Sequence, residues 1–374
     1  MPRINGGIVG TYNRPTFIQA GGIWSLSDIE NNRRVTAWPL ALSATVLAVA
    51  HASSPFVSAY SWSSSGFGTK YSNPSTLPVA NGNGVAFSPS GNDIAVAIAA
   101  TPFITAYPWS SNGFGTKYSD PSTLPGSSGG LSVAFSNTGQ EIVFGHSLTP
   151  FISAYSWSSS GFGTKYANPS TLPTGTGNNI AFHPINGQIA VAHATTPFIT
   201  AYPWSSSGFG TKYSDPSTLP TGSGDGVAFS PTGDHIAVAH VTTPFVTAYP
   251  WSSSGFGTKY SDPSTLPATN SREVAFSRSG GEIAVAHSNT PFITAYSWSN
   301  GFGTKYSDPS TLPSSTGFGV GFSPGGGEIA VAHSLTPFVT AYPWSTSGFG
   351  TKYANPTVMM PSQGNGVSFT VIST

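Results

Sequence analysis

The hexapeptide Gly-Phe-Gly-Thr-Lys-Tyr occurs seven times in the chain, and this repetition restricts the possible folds more than any other feature. Successive copies lie 46 to 48 residues apart and begin at Gly66, Gly113, Gly161, Gly208, Gly255, Gly301 and Gly348. A fixed period in this range is typical of solenoids and propellers. Helical repeats need apolar residues every three or four positions over ten or more residues, and no unit contains such a stretch. The repeat therefore indicates an all-β protein.

One unit of the repeat contains four short segments in which apolar and polar residues alternate. Turns rich in Gly, Pro, Ser and Asp separate the strands that we predict at residues 226–231, 235–240, 245–251 and 256–260. Four strands in a unit of about 47 residues form one blade of a propeller. The sequence thus predicts a seven-bladed β-propeller of four-stranded blades over residues 41–374. Residues 1–40 precede it as a short N-terminal arm.

Nearly all large aromatic residues belong to the repeat. The chain has 24 Phe, 15 Tyr and 9 Trp, of which only six residues fall outside the repeated positions. Aromatic side chains bury large areas and can fill the spaces between blades. We therefore interpret the repeated tryptophans as core residues, the alternative being a platform for stacking sugars; they are Trp62, Trp109, Trp157, Trp204, Trp251, Trp298 and Trp344.

The two ends of the repeat region are predicted to meet in one blade. The segment Gly364–Thr370 nearly copies the inner strand Gly82–Ser88, but no full second strand follows it. The first unit, conversely, begins cleanly only at Thr45. We expect the C-terminal strand to complete the blade whose other three strands lie within residues 45–75, because this closure removes two unpaired sheet edges.

Two stretches of each unit resemble the WD40 family of propellers. Residues 227–240 are similar to that family's Val-x-Phe-Ser-Pro-Asp-Gly stretch, and Trp251–Ser252 stands where the family ends its third strand with Trp-Asp. The resemblance covers about residues 45–371 but lacks the Gly-His and Asp of the family's hydrogen-bond tetrad. It implies a binding scaffold and no reaction. An intracellular, cytoplasmic scaffold that binds peptides or proteins is therefore the alternative function.

Residues 22–39, in the arm, resemble a segment of virion structural proteins from tailed bacteriophages. Ser25 and Asp28 have capping-box spacing, so a short helix through Arg34 is expected, and it would need the propeller or a partner to be stable. The resemblance implies attachment to other virion proteins, the alternative being that the arm plugs its own ring. The candidate attachment residues are Trp24, Leu26, Asp28, Ile29, Arg33 and Arg34.

The composition narrows the choice of partners. Charged residues make up only 7% of the chain and the formal net charge is zero, so no nucleic acid is expected as a partner. No apolar run is long enough for membrane insertion. A surface of Ser, Thr, Asn and Gly suits a glycan ligand or burial in an assembly. Together with this composition, the resemblance of residues 22–39 implies a bacteriophage structural protein located in the virion, and we expect a propeller face that binds a host-surface glycan.

Six histidines occupy one position of the repeat, at the end of the second strand and on the expected ligand face. A metal site is not expected, because neighbouring blades are too far apart for two histidines to share an ion. Each is better explained by a hydrogen bond to its own turn. Ile98 takes this place in the remaining unit, and the candidate ligand-face residues are His51, His146, His193, His240, His287 and His333.

The sequence contains no catalytic motif. An active site needs an asymmetric cluster of polar residues, and no paired carboxylates, phosphate loop or metal motif is present. We therefore predict that the protein is not an enzyme and uses no cofactor and no metal. The polar residues that depart from the repeat fall in different units, as Glu141, His183, Asp225, Arg272, Glu273 and Arg278.

Overall fold

The computed structural model describes residues 43–126 and 129–373, which form β-strands joined by turns and loops. In this part of the chain no helix is long and apolar enough to cross a membrane. In chain order the strands are β1 (Ser43–His51), β2 (Val57–Ser63), β3 (Gly66–Lys70), β4 (Gly82–Phe87), β5 (Asp93–Ile98), β6 (Ile104–Ser110), β7 (Gly113–Phe114), β8 (Gly130–Phe135), β9 (Glu141–His146), β10 (Ile152–Ser158), β11 (Gly161–Lys165), β12 (Gly177–Phe182), β13 (Gln188–His193), β14 (Ile199–Ser205), β15 (Gly208–Phe209), β16 (Gly224–Phe229), β17 (His235–His240), β18 (Val246–Ser252), β19 (Gly255–Phe256), β20 (Ser271–Phe276), β21 (Glu282–His287), β22 (Ile293–Trp298), β23 (Phe302–Lys305), β24 (Gly317–Phe322), β25 (Glu328–His333), β26 (Val339–Ser345), β27 (Gly348–Phe349) and β28 (Gly364–Ser373).

These strands form seven four-stranded antiparallel sheets, so the predicted seven-bladed propeller is confirmed. Blade 1 has the strand order β28-β1-β2-β3, and blades 2 to 7 are the consecutive quartets that begin at β4, β8, β12, β16, β20 and β24. The C-terminal strand β28 thus completes the first blade, as predicted. Closure places β1 between β28 and β2, so β1 is no longer an edge strand.

The inner strands of neighbouring blades lie side by side around the ring. A Cβ atom built on Gly366 of blade 1 would lie 3.4 Å from the Cα atom of Gly84 in blade 2. On the other side, a Cβ atom on Gly319 of blade 7 would lie 3.0 Å from the Cα atom of Gly366. The first and last repeats are therefore in contact through β28, and the ring is closed.

The outer strand is shorter in four blades than the repeat predicts. In blade 5 the predicted strand 256–260 is only Gly255–Phe256, whereas in blade 3 the outer strand extends over Gly161–Lys165. The third strand carries Pro250 in blade 5 and Ser156 in blade 3. Proline has no N–H to donate, so the regular ladder is interrupted beside it, although the N–H of Gly257 still bonds the Pro250 carbonyl at 2.8 Å. Blades 2, 4, 5 and 7 have proline at this position and a short outer strand. Blades 1, 3 and 6 have serine there and a long outer strand.

The repeated tryptophans pack between blades, which confirms their interpretation as core residues. Their exposed fractions lie between 3% and 8%. Trp251 contacts Phe229 and Phe256 of its own blade and Tyr213 of the preceding blade, all edge-to-face, with ring centroids 4.9 to 5.3 Å apart. One aromatic cluster of this kind fills each space between blades and leaves the inner strands to surround the axis.

Candidate functional site

A cavity of about 500 Å³ lies at the axis of the ring, lined by the inner strands of all seven blades. This volume is in the range of small-molecule binding sites. Each inner strand contributes residues near its start, such as Asn83, Gly84 and Val85 in blade 2. Because equivalent positions of all repeats face one cavity, any departure from the repeat at these positions makes its wall asymmetric.

The cavity wall carries its charges on one side. Asp225 from blade 5 and Arg272 and Glu273 from blade 6 line it, next to the asparagines of blade 4. Half-buried Leu131 and Phe318 lie elsewhere around the ring, in blades 3 and 7. The prediction that the non-repeated polar residues are scattered is therefore wrong for these three charged residues. They belong to inner strands β16 and β20, which are neighbours in the ring.

Arg272 and Asp225 form an ion pair between blades 5 and 6. The Arg272 guanidinium donates from Nη1 to Oδ2 of Asp225 across 3.1 Å. Burial raises the pKa of the Asp225 carboxyl, and the positive charge of Arg272 opposes that rise. The side chain of Arg272 is 38% exposed, so the guanidinium also faces the cavity. A positive group is thus held in a fixed position at the wall.

Glu273 is held by two hydrogen bonds beside this pair. Its Oε2 accepts from Nδ2 of Asn179 at 2.9 Å, and its Oε1 accepts from the backbone N–H of Val274 at 3.2 Å. Asn179 is itself oriented, because its Oδ1 accepts from the backbone N–H of Val227 at 3.3 Å. The carboxyl group is therefore fixed from both oxygens.

Burial raises the pKa of Glu273 to about 8, and the negative charge of Asp225 acts in the same direction. The hydrogen bonds from Val274 and Asn179 favour the ionised form and reduce the rise. A carboxyl group with this pKa exchanges a proton near neutral pH, as a general acid or base must. A carboxyl group with a raised pKa and a cation thus share one cavity wall, an asymmetric arrangement of the kind that catalytic sites use.

The six candidate ligand-face histidines are fully buried at the ends of the second strands, and none lines the cavity. The Nε2 atom of His240 lies 2.9 Å from Oγ1 of Thr247 on the third strand, and the two share a hydrogen bond. The other five make the equivalent contact with a serine or threonine at 2.9 to 3.1 Å. Burial lowers the pKa of each to about 4. These contacts tie the second strand to the third, and a ligand contact by the histidines stays a prediction.

The arm and its predicted attachment residues, Trp24, Leu26, Asp28, Ile29, Arg33 and Arg34, lie outside the described residues. The predicted helix and the predicted partners and location therefore stay predictions. Within residues 43–126 and 129–373, no group of three or more His, Asp or Glu side chains is placed to hold a metal ion.

The sequence contains one signal that could have identified the cavity residues. Aligning the starts of the inner strands places Asp225 and Arg272 where blades 1, 2 and 4 have asparagine. It places Glu273 where four blades have glycine. A ring brings all these positions to one axis, so departures there mark the wall of a single site.

Comparisons with known proteins show the fold. No protein-family model and no curated protein matches the chain. A provisionally named 6-phosphogluconolactonase from Bacteroides fragilis is similar in structure, with a TM-score of 0.69 and 13% identity over 87% of this chain and 98% of its own. The periplasmic gluconolactonase of Pseudomonas aeruginosa is similar with a TM-score of 0.65 and 13% identity, over 88% of this chain and 99% of its own. The β-propeller domain of Cps50 (Swd1) from Myceliophteria thermophila is similar with a TM-score of 0.53 and 13% identity, over 74% of this chain and 88% of its own.

These neighbours correct the predicted function. The prediction of a non-enzymatic bacteriophage virion structural protein is wrong, because several solved proteins with this fold carry the names of lactonases. The prediction that the chain is not an enzyme is wrong for the same reason. It rested on the lack of an asymmetric polar cluster, whereas Asp225, Arg272 and Glu273 line one cavity. The phage resemblance of residues 22–39 finds no support in these comparisons.

Proposed function

We propose that the protein is a hydrolase that opens a lactone, the cyclic ester of a sugar acid, in the cavity at the axis of the ring. The observation that carries the proposal is the Glu273 carboxyl group, whose pKa of about 8 lies close to neutral and which shares the cavity wall with the Arg272 guanidinium. The lactonase names of several proteins with this fold support the choice of substrate.

Each charged residue has a distinct role in the proposed reaction. Ionised Glu273 removes a proton from a water molecule, whose oxygen forms a bond to the carbonyl carbon of the lactone. Negative charge then develops on the carbonyl oxygen, and Arg272 stabilises it. The bond between the carbonyl carbon and the ring oxygen breaks, and Glu273 returns its proton to that oxygen. The product is an open-chain hydroxy acid.

Neighbouring residues orient the Glu273 and Arg272 side chains. Asp225 holds the Arg272 guanidinium through the 3.1 Å ion pair, so its position does not depend on the substrate. Asn179 likewise holds the Glu273 carboxyl group through its 2.9 Å hydrogen bond. Groups oriented before the substrate arrives need no reorganisation in the transition state. Asp225 and Asn179 are thus positioning residues, while Glu273 and Arg272 contact the reacting atoms.

The test is hydrolysis of D-glucono-1,5-lactone by the full chain at pH 8, after subtraction of the uncatalysed rate. Replacing Glu273→Gln keeps the size of the side chain and its place at the wall but removes the base, so we expect kcat to fall by about 100-fold or more. The matched control is Lys259→Gln on the outer surface of blade 5, which should retain full activity. Equal rates for Glu273→Gln and the unaltered protein would refute the assignment of the base.

A further inference from the structure

The charge of the cavity wall restricts which lactone the proposed hydrolase can accept. Arg272 is the only Lys or Arg among the residues that line the cavity in the described part of the chain. Its positive charge is matched by Asp225 at 3.1 Å. Glu273 adds a carboxyl group, so the wall has a net charge of zero when Glu273 is protonated and of one negative charge when it is ionised.

The remaining cationic side chains of residues 43–126 and 129–373 are placed away from this wall. The repeated lysines lie at the ends of the outer strands or just beyond them, where each bonds an Asp or Asn three residues later, as Lys259 does with Asp262. Arg272 is the second residue of inner strand β20, whereas Arg278 lies beyond the other end of that strand. A second cation is therefore missing from the cavity wall as the structure describes it.

A phosphorylated substrate would need more positive charge than this wall provides. A phosphate monoester carries about −1.5 to −2 charges at pH 7. Proteins bind such groups through clusters of Arg or Lys, or through helix N-termini. The described residues contain no helix, and the single guanidinium already has a carboxylate partner. A phosphate in the cavity would also lie near Asp225 and Glu273, which repel it.

We infer that the cavity accepts a neutral, non-phosphorylated sugar lactone and discriminates against phosphorylated ones, an inference that rests on the proposed lactone hydrolysis. Phe318 and Leu131 offer half-buried apolar surface for the C–H faces of an uncharged sugar ring. The same charges favour product release, because opening the lactone creates a carboxylate that Asp225 and Glu273 repel.

The experiment compares binding and turnover of a neutral probe and a phosphorylated probe by the full chain. Calorimetry measures affinity for D-glucono-1,5-lactam, which cannot react like the ester, and for its 6-phosphate. We expect the neutral lactam to bind at least about tenfold more tightly at low salt, and kcat/KM for the corresponding lactones to follow the same order. Equal or tighter binding of the phosphate, or no binding of the neutral lactam, would overturn the inference.

A charge variant separates this inference from the proposed reaction. Asp225→Asn removes one negative charge and leaves the Arg272 guanidinium without its carboxylate, so the affinity ratio of neutral to phosphorylated lactam should fall by about tenfold. Lys259→Gln, on the outer surface, should leave the ratio unchanged. A ratio that Asp225→Asn does not move would contradict the inference. If the lactam binds as expected but neither lactone is hydrolysed, the proposed reaction fails and the charge preference stands.

Discussion

Asn179 donates a 2.9 Å hydrogen bond to Glu273 although the two residues belong to blades 4 and 6. Blade 5 lies between them, and its inner strand carries Gly226 at the equivalent position. A Cβ atom on Gly226 would lie 2.8 Å from the Cα atom of Glu273 and 3.0 Å from its Oε1. The missing side chain at Gly226 therefore lets two side chains meet across an intervening blade.

This arrangement predicts the effect of adding one methyl group to the wall. Gly226→Ala should push β20 away or displace the Glu273 carboxyl group, with a loss of about 1–3 kcal/mol in the free energy of unfolding and a fall in lactone hydrolysis. The matched control is Gly321→Ala in blade 7, where a Cβ atom would meet Val367 at 3.7 Å or more, an ordinary contact. Urea unfolding and the hydrolysis assay measure both effects. Equal results for the two variants would contradict the packing argument.

The buried histidines predict loss of stability in acid. Their folded-state pKa of about 4 is below the ordinary value of 6.5, so below pH 6.5 the unfolded chain takes up protons that the folded chain does not. The stability that depends on these histidines staying neutral is complete above pH 6.5. It is lost as the pH falls towards 4, and the free energy of unfolding falls by up to about 3 kcal/mol for each histidine. Urea unfolding between pH 7.5 and 4 should show this decline. A free energy of unfolding that stays constant over this range would refute it.

His240→Ile, which copies the residue found in blade 2, provides the comparison for that series. The variant has one buried histidine fewer, so its stability should depend less steeply on pH between 6.5 and 4 than that of the unaltered protein. The comparison concerns the slope and not the absolute stability, because Thr247 loses its hydrogen-bond partner in the variant.

Blade 2 offers a natural test of the bond between histidine and threonine. Ile98 replaces the histidine there, and the buried Thr105 hydroxyl group has no hydrogen-bond partner. Thr105→Val should therefore be neutral or stabilising, whereas Thr247→Val in blade 5 should cost about 1 kcal/mol, because it breaks the bond to His240. Thermal unfolding at pH 7.5 distinguishes the two. A similar cost at both positions would mean that the hydrogen bond contributes little.

The repeat made the architecture predictable, but not the lengths of all its strands. The predicted second strand 235–240 agrees with β17, and closure by the C-terminal strand is confirmed. Both follow from hydrophobic alternation and from the copy count, which are local features of the sequence. The outer strand of blade 5 was predicted too long, because Pro250 on the neighbouring strand removes a donor that pairing needs.

The candidate site was not predictable in the same way, because its parts are distant in the chain. Asp225 and Arg272 are 47 residues apart and meet only when two inner strands lie side by side. Asn179 and Glu273 are 94 residues apart and meet only because Gly226 has no side chain. Their roles depend on burial and on neighbouring charges, which a reading of each unit by itself does not provide.

The central claim, that ionised Glu273 is the base of a lactone hydrolysis, is tested most directly by the pH dependence of kcat/KM for D-glucono-1,5-lactone. After subtraction of the uncatalysed rate, we expect kcat/KM to rise about tenfold per pH unit below the pKa of Glu273, which is about 8, and to level off above it. A profile that does not change between pH 6 and 9, or no catalysed hydrolysis at any pH in this range, would contradict the account.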